Sequence, residues 1–194
     1  MCIRDSASRG QAIVQAIRSS SGQVIGETQR GSVIQFVLAD SAALHKETQS
    51  LRLVDDADFR LSASHSGQNL PLLLDGDVNT EWTTAQQQDG TEWLTLVFEN
   101  TIDVARIRLD LHRRSFGDYP RILRIESSSN RGRNVLYEGS GLVPLVRGVL
   151  KDNFLRSAIA LDFKTNETKT LKIQQTGQAV ETPWSVYELR VWKR

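Results

Sequence analysis

Cysteine is all but missing from this chain. Its one residue, Cys2, excludes an internal disulfide and any zinc site built on paired thiolates. Histidine is nearly as scarce: His45, His65 and His112 are scattered and lack the His-x-x-x-His spacing of zinc hydrolases. Gly139-Ser140-Gly141 does not have the Gly-x-Ser-x-Gly spacing of a serine hydrolase elbow, and nothing among the many carboxylates marks an acid/base pair. An excess of one charge is lacking too. The 24 Lys and Arg stand against 23 Asp and Glu, and the net +1 gives no general pull toward nucleic acid or a membrane surface. No apolar run approaches the roughly 18 residues needed to span a bilayer. No apolar stretch follows Met1 as a signal peptide would require. Catalysis is thereby the least supported class, while 194 residues remain enough for a buried core plus extra segments.

Residues 1–6, Met1-Cys2-Ile3-Arg4-Asp5-Ser6, resemble the translation of the mosaic-end adapter used in transposon-based sequencing libraries. They are set aside from fold reasoning as a tag would be, and Cys2 goes with them. The natural chain is then expected to begin further upstream.

What is present is alternation. Leu94, Leu96 and Phe98 alternate with Thr95 and Val97; Ile107, Leu109 and Leu111 alternate with Arg106, Arg108, Asp110 and His112. Leu123 and Ile125 repeat the pattern with Arg124 and Glu126, as do Ile159, Leu161 and Phe163 with Ala160 and Asp162. Leu171 and Ile173, then Tyr187, Leu189 and Val191, complete it near the C-terminus. A period of two marks strands with one face in the core and one in water. Turn-rich stretches at Asp89-Gly90, 127–132, 166–168 and 175–182 separate them. Many short strands without helix-length periodicity predict an all-β antiparallel sandwich or barrel. Arg106, Arg108, Arg113, Arg114, Arg121 and Arg124 do not form a basic stripe, because Asp110, Asp118 and Glu126 interrupt them; nucleic acid is not the expected partner.

Residues 7–55 read differently. Segments 12–17 and 33–38 are apolar and rich in strand formers, with a Ser19-Ser20-Ser21-Gly22 turn before Val24; Asp40 is placed to cap a short helix reaching Leu51. This piece is expected to be the truncated end of an upstream β domain or a β-rich linker. The boundary is expected near Asp55-Asp56.

The densest motif is Leu73-Leu74-Asp75-Gly76-Asp77-Val78-Asn79-Thr80-Glu81-Trp82, in which oxygen ligands crowd one tight turn around a glycine. It lies within an ordered series. Leu61-Ser62-Ala63-Ser64 precedes it; Glu92-Trp93-Leu94-Thr95-Leu96, the stretch 104–111, Tyr119-Pro120-Arg121 and Ile125-Glu126-Ser127 follow. Trp184-Ser185-Val186-Tyr187-Glu188-Leu189 closes it. In that order these motifs make residues 56–194 resemble the discoidin family, also called the coagulation factor V/VIII type C domain, which includes the family 32 carbohydrate-binding modules. The resemblance implies a jelly-roll β-sandwich, galactose-binding-domain-like, with no catalytic activity and with ligands held by loops at one end.

It also implies a structural Ca2+ on Asp75, Asp77, Thr80 and Glu188, helped by backbone carbonyls near Leu72. Calcium favours six to eight hard oxygens, which carboxylates, a hydroxyl and carbonyls supply. Glu188 is out of phase with Tyr187, Leu189 and Val191 and so leaves the core face of its strand. For the ligand loops the resemblance points to His112, Arg113, Arg114, Phe116 and Asp118, with Thr84 where galactose-type relatives carry a histidine step. Arginine and aspartate can grip vicinal hydroxyls with paired hydrogen bonds, and Phe116 can stack on a sugar's apolar face. Trp82 and Trp93 are expected in the core, and Trp184 also, less firmly tied to it.

The function that follows is a glycan-binding module of a larger bacterial envelope or secreted protein, extracytoplasmic, joined to an upstream catalytic or membrane domain. The alternative is a discoidin-type domain that packs on its parent chain and binds no sugar. The series Leu171 to Gly177 followed by Trp184 to Leu189 resembles domains appended to multi-span membrane glycosyltransferases, which suits that alternative.

Overall fold

The alternating segments become strands in the computed structural model, which describes residues 24–30, 33–38, 51–111, 117–152, 157–164 and 167–194. The chain divides into two compact units, Met1–Gln49 and Ser50–Arg194. In the first, β1 (Val24–Arg30) pairs antiparallel with β2 (Val33–Leu38). The strand-forming reading of 33–38 is thus met, while segment 12–17 and the helix expected after Asp40 lie outside the described residues.

The second unit begins before the expected boundary. β3 (Arg52–Leu53) pairs with the last strand, β12 (Glu188–Lys193), and Val54 is buried with its amide donating to the Val191 carbonyl at 2.9 Å. A short sequence rich in acids (Asp55, Asp56 and Asp58) reads as linker, but the apolar side chain before it is core.

β4 (Phe59–Ala63) and β5 (Trp82–Thr83) flank a 3-10 segment, Gly67–Leu73. β6 (Trp93–Asp110) then runs for 18 residues and organises the sandwich. Its first half pairs with β4 and with β10 (Glu167–Gln175); its second half pairs with β12 and with β9 (Ala158–Asp162). The phase of its apolar pattern changes along the way. Leu94, Leu96 and Phe98 are buried at even positions, Ile107 and Leu109 at odd ones, and Val104 and Ala105 are buried side by side. A period of two can switch faces only where the strand irregularly twists, and here that happens where β6 leaves one set of partners for the other. β7 (Ile122–Ser129) follows β10 in the sheet and β8 (Gly132–Ser140) ends it, giving the order β3-β12-β6-β10-β7-β8. β11 (Ser185–Val186) pairs with β5. All pairings are antiparallel, as expected of a β-sandwich.

One helix was not foreseen. α1 (Leu142–Asp152) opens with the Leu142 amide on the Ser140 hydroxyl at 3.3 Å, a side-chain cap, and buries Leu145 and Val146. Leu142, Leu145 and Val146 fall at helical spacing, the signal that was available. Gly148 lets α1 approach β9, since a Cβ there would lie 2.2 Å from the Ala158 carbonyl oxygen.

The core holds Trp82 and Trp184, both fully buried and edge to face with centroids 5.2 Å apart. Such a pair contributes about 0.5–1.5 kcal/mol beyond its area burial. Trp93 departs from expectation. It is out of phase with Leu94, Leu96 and Phe98, so it is half-buried on the outer face, where the Lys172 ammonium sits 5.7 Å from its ring.

Candidate functional site

One end of the sandwich collects loops 64–66, 84–92, 117–121 and 176–184, and buried amides join them. Gln88 is 2% exposed. Its Nε2 donates to the carbonyls of Tyr119 at 3.0 Å and Pro183 at 3.1 Å, while its Oε1 accepts from the Arg121 amide at 3.1 Å. Its backbone exchanges bonds with Ala179 in both directions. Gln175 adds a second clasp: Oε1 accepts from the amides of Ile122 at 3.0 Å and Gly177 at 2.9 Å. Arg121 donates to the Gly117 carbonyl and the Thr182 hydroxyl, both at 2.9 Å, with its guanidinium 4.2 Å from the Tyr119 ring centroid. Glu92, fully buried, accepts from the amides of Asp89 at 2.8 Å and Gly90 at 3.0 Å and shapes that turn. Gln88 and Gln175 were not singled out from the sequence. In Gln86-Gln87-Gln88 and Gln174-Gln175 nothing local separates a buried glutamine from a solvated one.

Thr84 also faces inward. It is 3% exposed, and its hydroxyl accepts from the Trp184 amide at 3.1 Å and donates to the Gln86 carbonyl at 3.1 Å. The hydroxyl therefore serves loop packing. Asp118 sits at the rim, joined to the Ser185 hydroxyl through Oδ2 and to the Ser185 amide through its carbonyl at 3.1 Å. His112, Arg113, Arg114 and Phe116 lie outside the described residues.

The acid-rich turn packs beside this end. Gly76 takes a φ of 75°, which its lack of a Cβ permits, and folds Asp75 back over the turn. Asp75 Oδ1 accepts from the Asp77 amide at 2.9 Å and Oδ2 from the Thr80 hydroxyl at 2.7 Å; these bonds hold its carboxyl below the usual range. The Asp77 carboxylate turns to Asn79, at 2.9 Å from its amide and 2.7 Å from its side chain. Glu188 comes to the same place from β12 and is 3% exposed. Burial pushes its carboxyl above the usual 4.5, only partly offset by Arg190 and the Gly76 amide, with Asp75 and Asp110 pushing it further up. Its Oε2 is 3.9 Å from Arg190, and Oε1 has no hydrogen-bond partner. The structure thus brings Asp75, Thr80 and Glu188 together, while the Asp77 carboxylate accepts from Asn79. Among the described residues no group of three or more His, Cys, Asp or Glu side chains is arranged to hold a metal, so any cation here would draw on hydroxyl and carbonyl oxygens as well.

Among the described residues three buried side-chain polar atoms lack a partner: Asp118 Oδ1, Trp184 Nε1 and Glu188 Oε1. Asp118 and Trp184 belong to this end, and Glu188 to the acid-rich turn beside it. Native interiors pair almost every buried polar group, and the exceptions cluster where a water, an ion or a ligand completes the set.

The outward arginines elsewhere are neutralised. Arg106 pairs with Asp162 at 2.5 Å, Arg108 with Asp110 at 2.8 Å, and Arg124 with Glu126 at 2.6 Å and Glu138 at 3.0 Å. No described helix is long and apolar enough to cross a membrane.

No family model and no curated protein matches the chain. Solved structures do. The family 32 carbohydrate-binding module of NanJ from Clostridium perfringens, in complex with galactose, matches with a TM-score of 0.55 at 18% identity, over 74% of this chain and 99% of that one. A family 32 module from a family 31 glycoside hydrolase of the same organism matches with a TM-score of 0.56 at 18% identity, over 73% and 95%. The family 32 module of AlyQ, in complex with 4,5-unsaturated mannuronic acid, matches with a TM-score of 0.52 at 16% identity, over 72% and 97%. At such identities the likeness is one of fold, and the fold of this chain's sandwich is that of the family 32 carbohydrate-binding modules.

Proposed function

We propose that this chain is a non-catalytic glycan-binding module with a structural calcium, part of a larger bacterial protein of the envelope or the secreted fraction. The observation that carries the reading is the shared fold: the sandwich matches family 32 modules solved with galactose and with 4,5-unsaturated mannuronic acid over nearly their whole length. A loop end already clasped by Gln88, Gln175 and Arg121 loses little freedom on binding, and preorganisation of this kind favours a small polar ligand. Asp118 would accept from a sugar hydroxyl, with Arg113, Arg114 and His112 as further polar contacts and Phe116 as the stacking ring. Thr84 acts behind them by holding Trp184 and Gln86.

Calcium would be held by Asp75, Thr80 and Glu188 with carbonyls near Leu72, and by Asp77 through its backbone or a turned carboxylate. The chemistry it supplies is charge compensation: a buried glutamate with an unpartnered oxygen beside a second carboxylate is what a divalent cation relieves. Its role is to pin the first acid-rich turn to the last strand.

The test is a glycan-array screen of the full chain in calcium, repeated with Arg114→Ala. Selective binding that Arg114→Ala abolishes is the expected result. A blank array from protein that melts cooperatively would refute glycan binding and favour a domain that packs on its parent chain.

A further inference from the structure

We infer that the outer face of the first half of β6, with a cleft between Arg60 and Lys169, is a second glycan surface, one that takes uronate units of an acidic polysaccharide. β6 bows out at this cleft. Its register with β10 jumps from Val97–Thr170 to Ile102–Thr168, so residues 98–101 of β6 face the single residue Lys169. The bow opens a cleft of about 460 Å³ lined by Arg60, Val97, Phe98, Glu99, Asn100 and Lys169. That volume lies within the roughly 300–1,000 Å³ of small-ligand sites, and strand irregularities of this kind re-aim side chains beside such sites.

The charges choose the class of ligand. Arg60 and Lys169 come from β4 and β10, the strands on either side of β6. Neither has an ion pair among the described residues, and the Lys169 ammonium donates to the Glu99 carbonyl at 2.7 Å. A carboxylate between the two cations would accept from both, with the Arg60 guanidinium offering a planar fork. Glu99 is the one acid of the cleft lining, and it would repel a bare phosphate or sulfate, which is negative on every side. A uronate suits both signs. Its carboxylate meets Arg60 and Lys169, while its ring hydroxyls donate to Glu99 and pair with the Asn100 amide. Val97, 41% exposed, gives the apolar face of the ring a surface to lie on.

The same chemistry recurs along the strand. Trp93, Thr95 and Val97 share the outer face over about 13 Å. Lys172 pairs with Thr95 in register, and its ammonium lies 5.7 Å from the Trp93 ring centroid. Lys172 also has no ion pair among the described residues. A cation beside a half-buried indole repeats the pairing of positive charge with apolar surface found in the cleft, so a second uronate of the same chain has a place to sit.

Titration of the full chain with a galacturonate tetramer, followed by calorimetry and by backbone amide shifts, tests this. The tetramer should bind at low salt and more weakly as salt rises. Its methyl ester, which lacks the charges, should not bind. Arg60→Gln and Lys172→Gln should each weaken binding by roughly threefold to fivefold, with melting curves showing both variants folded. The amide shifts should fall on 60–62, 93–100 and 168–174. No binding of the tetramer overturns the inference, as does equal affinity for tetraglutamate, which would mean that charge alone is read. Shifts confined to 84–92 and 117–121 also overturn it, since they would place the tetramer at the loop end.

Discussion

Glu188 offers the sharpest test of the proposed cation. Its carboxylate is almost wholly buried, one oxygen has no partner, and Asp75 and Asp110 stand near it. Leaving a buried acceptor unsatisfied costs about 1–3 kcal/mol, more for a charged group. A cation that fills the gap should therefore stabilise the fold strongly. At a free calcium of about one hundred times the dissociation constant, mass action contributes roughly 2.7 kcal/mol. For a chain of this size each kcal/mol moves the melting temperature by about 2–4 °C, so the shift on adding calcium should be roughly 5–11 °C. Glu188→Gln removes the charge and keeps the shape. In chelator the variant should melt at or above the wild type, because the uncompensated charge is gone; in calcium it should melt below the wild type, because the cation has lost a ligand. That crossing is the signature. Differential scanning calorimetry in EDTA and in millimolar calcium reads it directly. A wild type indifferent to chelator, or a Glu188→Gln variant with an unchanged calcium shift, would refute the reasoning.

Gln88→Ala strips the bonds to Tyr119, Pro183 and Arg121 and should cost roughly 2–4 kcal/mol in urea unfolding, with weakened glycan binding in the fraction that stays folded. Trp82→Ala should cost about 3–5 kcal/mol, as removal of a fully buried indole does, and a loss confined to sugar affinity would show it to be a ligand platform instead. Gly148→Ala drives a methyl into the Ala158 carbonyl and should destabilise by about 1–3 kcal/mol; unchanged denaturation would mean that α1 can move away. Burial pushes the Tyr137 phenol up from 10.0, and its hydroxyl donates to the Ser140 carbonyl at 2.9 Å. A raised folded-state value means a contribution fully present below pH 10.0 and lost as pH climbs through the folded value. Tyr137→Phe should thus lose about 0.5–1.5 kcal/mol at neutral pH and flatten the alkaline decline of the melting temperature.

The strands were legible because a half-buried strand writes its burial as a period of two. Leu94, Leu96, Phe98, Ile107, Leu109, Leu171, Ile173, Leu189 and Val191 all lie in the core as their phase predicts. That two of those runs form a single strand was not legible, since the phase change at Val104-Ala105 looks like a break until the partners on each side are known. α1 escaped for a different reason. Gly148 sits inside it, a poor helix interior, and tertiary packing on β9 overrides that propensity; Pro144 lies in the first turn, where its missing N–H removes no bond. At the candidate site, the tight turn at Asp75-Gly76-Asp77 was readable from its residue types. The phase of Glu188 correctly takes it off the core face, yet the residue is buried, because the Asp75-Gly76 turn covers it from outside the strand's own pattern. Trp93 misled for the converse reason: an aromatic suggests core, but its phase in β6 puts it on the wet face beside Lys172.

The Gln88 clasp constrains how this loop end can change over evolutionary time. One side chain ties the backbone of two loops to its own, so an insertion in 117–121 or in 179–183 would break that tie. Loop length is therefore not a free variable at this end of the molecule. New specificities would have to arise by exchanging side chains on a frozen frame, and lineages that diversify by lengthening these loops must first have found another way to tie them.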